Sequence, residues 1–199
     1  MNITEIYAKN KHLANIKKNL AYFGSNFDIC NTLSCGEDKI LKYSSLINYK
    51  SLLDLLPKTD FDYKIILLES AKNSGHWVSV IRIGDTIELF NSYGVPIDNE
   101  FKYIPQRIEE MLHETRRFLT ELIRSSPNNF NIISNKIKFQ SKSEKVATCS
   151  RWNCLRVEMA RMGYSLAEFQ NIMQSLQTKT NIPYDILVLQ HIQYPSDLS

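Results

Sequence analysis

Two apolar segments hinged on a glycine constrain this chain more than any other stretch. Gly75–Ile83 reads Gly-His-Trp-Val-Ser-Val-Ile-Arg-Ile, Thr86–Asn91 reads Thr-Ile-Glu-Leu-Phe-Asn, and only Gly84-Asp85 separates them. Glycine at the first position of a two-residue turn is what a type II′ hairpin requires. That turn fixes the register: Ile83 faces Thr86, Val78 faces Asn91, and His76 stands opposite Tyr93. His76 is then diagonal to Asn91 on one face. Diagonal neighbours sit about 7–8 Å apart, within reach of an imidazole and an amide. Val78, Val80, Ile87 and Leu89 share that face, which makes it the expected seat for a helix.

The rest of the chain supplies partners for this hairpin. Phe61–Glu69 has a continuous apolar centre, Ile65-Ile66-Leu67-Leu68, and reads as a central strand buried on both faces. Asn131–Gln140 alternates toward strand character, and Tyr184–His191, after Pro183, reads as a terminal strand. Helices are expected over 3–23, where Ile6, Leu13, Ile16 and Leu20 form a stripe that Gly24 ends, and over Ser45–Leu56, closed by Pro57. Pro105–Ile123 reads as one long amphipathic helix broken by Ser125-Ser126-Pro127-Asn128-Asn129, and Ser165 caps a further helix to about Gln177. Residues 24–45 read as a loop or very short elements. The layout is α+β, with a mixed sheet of about five strands. A chain of 199 residues suits a single domain, 1–199, with a helical N-terminal part (1–60) and a core (61–199).

Thr148 is a good N-cap residue, and Trp152, Leu155, Met159 and Met162 follow at helical spacing, so this helix is expected to pack on the sheet. Cys149 falls in its first turn, where unpaired backbone N–H groups and the positive end of the helix dipole favour a thiolate, hence a nucleophile. A buried core thiol is the competing reading. Cys30-x4-Cys35 and Cys149-x4-Cys154 do not make a zinc site: five helical residues turn through about 500°, which leaves Cys149 and Cys154 roughly 140° apart. Cys154 reads as core, and all four cysteines are expected to be reduced.

A net charge of +3, from 24 basic and 21 acidic residues, is far from the basic stripe of a dedicated nucleic-acid binder. Lys17-Lys18 and Arg116-Arg117 are candidates for weak DNA contact, although a solvated face explains each pair better. No apolar run approaches a membrane span, and Met1–Glu5 lacks the regions of a signal peptide. The expected setting is intracellular, or within a particle assembled inside a cell.

A catalytic thiol needs a base and a group to orient that base. His76 and Asn91 can serve if Cys149 docks near them, and an oxyanion hole can come from the Cys149 N–H together with a side-chain amide. Gln140 is the only glutamine between Gln106 and Cys149, although its spacing fits a solvated loop edge equally well. The order His, Asn, Gln, Cys, with Gly75-His76-Trp77-Val78, Asn91-Ser92-Tyr93-Gly94, Thr148-Cys149-Ser150-Arg151-Trp152, Arg156 and Tyr184–Val188, resembles the adenain-like cysteine proteases. These are the maturation proteases of adenoviruses, virophages and polinton-type elements, with a papain-like-variant fold, related to the SUMO-deconjugating proteases.

The resemblance implies that His76 is the base, Asn91 the orienting residue, Gln140 the oxyanion donor and Cys149 the nucleophile. It also implies that Trp77 covers a narrow channel admitting small residues such as glycine beside the scissile bond, and that Ser150 lies where its Cβ crowds the substrate backbone; ordinary packing is the other reading of Trp77. The chain departs from the family where Asn91 stands for a frequent Asp, where Ser150 stands for a common Gly, and in the nine-residue gap from Gln140 to Cys149. The expected activity is cleavage of viral capsid or core precursor proteins, in the virion or in host cytoplasm or nucleus at assembly sites. No cofactor or metal is expected, beyond DNA or a viral peptide as activator. A SUMO-type deconjugase, an acetyltransferase and an inactive capsid-associated protein are the alternatives on the same fold.

Overall fold

A computed structural model of the chain describes residues 3–126 and 130–197. Helices run over Ile3–Ala21 (α1), Asn26–Leu33 (α2), Leu52–Leu55 (α3), Gln106–Met111 (α4), Phe118–Ser125 (α5), Cys149–Arg161 (α6), Leu166–Thr180 (α7) and Tyr184–His191 (α8). Ile40–Lys42 (β1), Asp62–Ala71 (β2), Ser74–Ile83 (β3), Thr86–Phe90 (β4) and Asn131–Ser134 (β5) form one sheet in that order. β2, β3 and β4 make an antiparallel meander, and β1 and β5 add parallel strands at its two edges. The architecture is therefore α+β with a mixed sheet of five strands.

The hairpin has the register its turn dictates. Ile83 pairs with Thr86, Val80 with Leu89 and Ser79 with Phe90. Gly84 has φ +58 while Asp85 does not enter the left-handed region, as a II′ turn demands. The ladder stops at Ser79–Phe90, so Val78 and Asn91 face one another only beyond its end. β2 is the buried central strand that its apolar run indicates, with Asp62 to Glu69 all buried.

The two sheet faces carry separate cores. Tyr63, Ile65, Leu67, Trp77, Ile81 and Phe90 pack against α6, α7 and α8. Ile66, Leu68, Val78, Val80 and Ile87 pack against α3, α5 and the 3-10 turn Tyr43–Asn48. The thiol-bearing helix thus lies on the Trp77 face, not on the Val78/Val80 face that sequence alternation proposed for it. Both faces are apolar, so alternation could not choose between them. α6 is buried almost all round, and its two buried arginines are tied to neighbours. Arg156 forms a bidentate pair with Glu88 of β4 (2.6 and 2.8 Å), both side chains being buried. Arg151 grips Asp197 and the Ile192 carbonyl.

Four other expectations are corrected. Tyr184–His191 is a helix, and the fifth strand is the three-residue β1, too short to show a period; a brief apolar run does not distinguish strand from helix. Ser45–Leu56 is not one helix: a 3-10 turn ends at Asn48, and Ser51 restarts the chain by capping Asp54 N. Pro105–Ile123 is split into α4 and α5 at His113, whose φ is 59, and beyond it Glu114 turns inward to accept from Glu69 N. Residues 24–45 contain α2, started by a capping box between Ser25 and Asp28. Of the break expected after Pro105–Ile123, Pro127, Asn128 and Asn129 lie outside the described residues.

Candidate active site

At the end of the sheet, where the β3–β4 ladder stops, His76, Tyr93, Glu100, Gln140 and Cys149 line one cleft of about 250 Å³. Each arrives by a different route. His76 comes from the start of β3 and Asn91 from the residue after β4, so the hairpin register brings them together: His76 Nε2 lies 2.9 Å from Asn91 Oδ1. Just beyond the ladder, the turn after Asn91 stacks Tyr93 on the His76 ring, with centroids 4.2 Å apart and planes 13° from parallel.

The Asn91 amide has one orientation consistent with its partners. Its Oδ1 accepts from the backbone N–H of Tyr93 (2.9 Å), and its Nδ2 donates to Glu100 Oε1 (3.3 Å). The ring nitrogen facing Oδ1 must therefore be the one that carries hydrogen. His76 is Nε2-protonated, and its Nδ1 lone pair is left to accept a proton. Asn135 holds this corner from behind by accepting from Asn91 N at 2.9 Å.

Cys149 reaches the cleft as the first residue of α6. Thr148 precedes it but does not cap the helix with its side chain; its hydroxyl donates to Asp185 instead. Asp185, on α8, also accepts from Ser141 N (2.9 Å) and so fixes both ends of the loop that leads to the thiol. Asn153, one turn into α6, donates to the carbonyls of Trp77 (2.8 Å) and Cys149 (2.7 Å).

Burial decides the charge states. It pushes the Cys149 thiol up to about 11, against the backbone N–H groups of Trp77, Ser150 and Cys149 itself, which favour the thiolate. The helix start alone, as read from sequence, would lower it; the thiol of a residue that is 2 % exposed is governed by desolvation instead. Burial likewise pushes His76 down to about 4; Asn91 opposes this and the nearby Lys142 cation adds to it. The resting pair is a thiol and a neutral imidazole.

Gln140 is buried and held beside the cleft. Its Oε1 accepts from the Ser92 hydroxyl (2.8 Å) and its Nε2 donates to the Val146 carbonyl (3.3 Å). An amide nitrogen carries two hydrogens, so this contact leaves one unassigned. Trp77 and Ser150 are placed differently. Trp77 donates from Nε1 to the Gly24 carbonyl (3.0 Å) and lines a neighbouring groove of about 400 Å³, which shares Phe23 with the cleft. The Ser150 side chain is wholly buried and points at Gly24, where an added Cβ would stand 2.3 Å from its Oγ. Ser150 does not line the cleft.

Glu100, Asp185, Asn135 and Asn153 carry much of this geometry, and sequence reasoning assigned none of them. Asp185 lies inside a stretch quoted for the family resemblance, which was the only available signal. The others are separated from their partners by 9, 44 and 76 residues respectively.

The fold and site define an α+β protein whose mixed sheet ends in a cleft bearing a thiol and an imidazole, with two amides beside them. Over 165 residues the chain is 32% identical to "Uncharacterized protein V9" of Sputnik virophage, covering 82% of this chain and 90% of that protein. The chain belongs to the family of that virophage protein. No family model matches it. Among solved structures it is similar to the ASFV pS273R protease, with a TM-score of 0.44 and 14% identity over 83% of this chain and 72% of that one. A selenomethionine form of the same protease gives a TM-score of 0.43 and 15% identity over 76% and 62% of the two chains.

Proposed function

We propose that the protein is a cysteine endopeptidase. The observation that carries this reading is the contact of His76 Nε2 with Asn91 Oδ1 in a cleft that Cys149 and Gln140 also line. In this scheme His76 Nδ1 takes the Cys149 proton as the sulfur attacks the peptide carbonyl, and then returns it to the leaving amine. Asn91 holds the ring in the required tautomer. The Cys149 N–H and the Gln140 amide stabilise the oxyanion.

The substrates in this proposal are viral capsid or core precursors cut beside small residues such as glycine, in the virion or at assembly sites in the host cytoplasm or nucleus. DNA or a viral peptide would serve as activator. Among the described residues no helix is long and apolar enough to cross a membrane. Arg116 pairs with Glu121 and Arg117 with Glu109, so that candidate DNA contact is already countered by the protein's own carboxylates. The test is incubation of purified precursor with wild type and with Cys149→Ala; identical band patterns would sink the proposal.

One observation favours a second reading, a capsid-associated protein without activity: the thiol is buried and its ionisation suppressed. Iodoacetamide titration separates the two. Alkylation at pH 7 that quickens when peptide substrate or an activating ligand is added supports the enzyme. Alkylation that follows one ionisation near 11, whatever is added, supports the scaffold.

A further inference from the structure

The cleft contains a carboxylate that the proposed scheme leaves without a task. Glu100 sits in the 3-10 turn Ile97–Tyr103, is 8 % exposed, and lines the cleft with His76 and Cys149. Its Oε1 accepts from Asn91 Nδ2 at 3.3 Å, on the side of that amide away from the imidazole. The result is a hydrogen-bonded series His76–Asn91–Glu100 in which the middle member is neutral and the last is acidic.

We propose that Glu100 is a positioning residue that acts on His76 through Asn91: it locks the amide with Oδ1 toward the ring and places a negative charge one amide behind the imidazole. The inference rests on the peptidase reading for its effect on turnover, but not for its effect on the ring. When the Cys149 S–H bond breaks, the electron pair stays on sulfur, the proton moves to Nδ1 and the ring becomes a cation. A carboxylate hydrogen-bonded to the far side of the Asn91 amide stabilises that cation, whereas a neutral amide alone offers only its dipole.

The charged and titratable groups facing His76 come from several elements. Tyr93 stacks on the ring, Lys142 from the loop before α6 opposes a cation there, Tyr103 belongs to the same 3-10 turn as Glu100, and Cys149 lies across the cleft. Asp185 acts on Tyr93 and Cys149. Glu100 is the acidic group of this set that is joined to His76 by hydrogen bonds. Burial raises its carboxyl, while Lys142 and the Asn91 amide favour its ionised form.

The geometry also states what a carboxylate at position 91 would meet. Asn91→Asp would set two buried carboxylates at the present 3.3 Å contact, and one of them would have to hold a proton. Asn91→Asp/Glu100→Gln exchanges the two groups. The carboxylate introduced at position 91 would still accept from His76 and from Tyr93 N, and the amide introduced at position 100 would donate to its second oxygen.

The experiment is ¹⁵N NMR of the His76 ring in the full chain, with thermal melting and peptide cleavage on the same samples. Glu100→Gln should keep the Nε2–H tautomer and lower the His76 ionisation. Glu100→Leu should also degrade the tautomer. Asn91→Asp should melt below wild type at pH 7, and Asn91→Asp/Glu100→Gln should regain the melting temperature and raise the His76 ionisation above wild type, because its carboxylate then touches Nε2 directly. An unchanged His76 ionisation in Glu100→Gln, or a double variant no better than Asn91→Asp alone, overturns the proposal. The ring titration needs no turnover. A His76 that responds to Glu100 in a chain that cleaves nothing would fail the peptidase reading and keep this one; the opposite pair of results would do the reverse.

Discussion

Asn153 Nδ2 lies 2.8 Å from the carbonyl of Trp77 and 2.7 Å from that of Cys149, so one amide joins the strand that carries His76 to the turn that carries the thiol. Asn153 and Trp77 are 76 residues apart in sequence, and their union sets how far the sulfur advances along β3. Asn153→Leu leaves the buried Trp77 carbonyl without this donor. It should destabilise the protein by about 1–3 kcal/mol in chemical denaturation and lower peptide cleavage at least about tenfold. Unchanged unfolding would mean that packing alone docks the helix.

His76→Ala removes the proposed base and should reduce cleavage by roughly 10²–10⁴-fold. Asn91→Ala leaves the ring but frees its tautomer, so its loss should be smaller and should fall on kcat more than on KM. Steady-state kinetics on a cleavable peptide distinguish the two. Equal losses in both variants would show that Asn91 does more than orient.

Glu88 and Arg156 clamp β4 to α6 with both side chains out of water. Glu88→Ala strands a buried guanidinium and should lose about 3–5 kcal/mol, whereas Glu88→Leu/Arg156→Met, which removes both charges, should recover most of that. Urea unfolding of the three proteins checks it; a double variant as weak as the single one refutes the argument.

Glu114 has no exposed surface, and burial pushes its carboxyl up to about 7, with Glu69 and Glu109 adding to the shift. A carboxyl raised in the folded state keeps its proton there while the unfolded chain loses it. Its contribution is thus present below about 4.5 and lost as pH rises through about 7. The full effect is on the order of 3 kcal/mol. Glu114→Gln should therefore raise the melting temperature at pH 8 and change it little at pH 4.5. A gain of the same size at both values would rule out the ionisation as its source.

Interactions between near neighbours were legible in the sequence. The glycine-led turn fixes the hairpin register as far as Ser79–Phe90, because two-residue turns permit few strand pairings, and His76 meets Asn91 and Tyr93 just beyond the end of that ladder. The continuous apolar run of β2 likewise announced a strand covered on both sides. What sequence could not settle was the choice between two equally apolar faces; on the Trp77 side α6 finds the Trp77 carbonyl for Asn153 and the Glu88 carboxylate for Arg156.

Tertiary contacts also overrode local pattern elsewhere. They split the run from Pro105 to Ile123 at His113, where Glu114 turns in toward β2, and they left Tyr184–His191 as a helix holding the thiol loop through Asp185. The charge state of the thiol was decided at the same level. A helix start favours the thiolate wherever it stands, but the desolvation that outweighs it exists only once the whole chain has closed around Cys149.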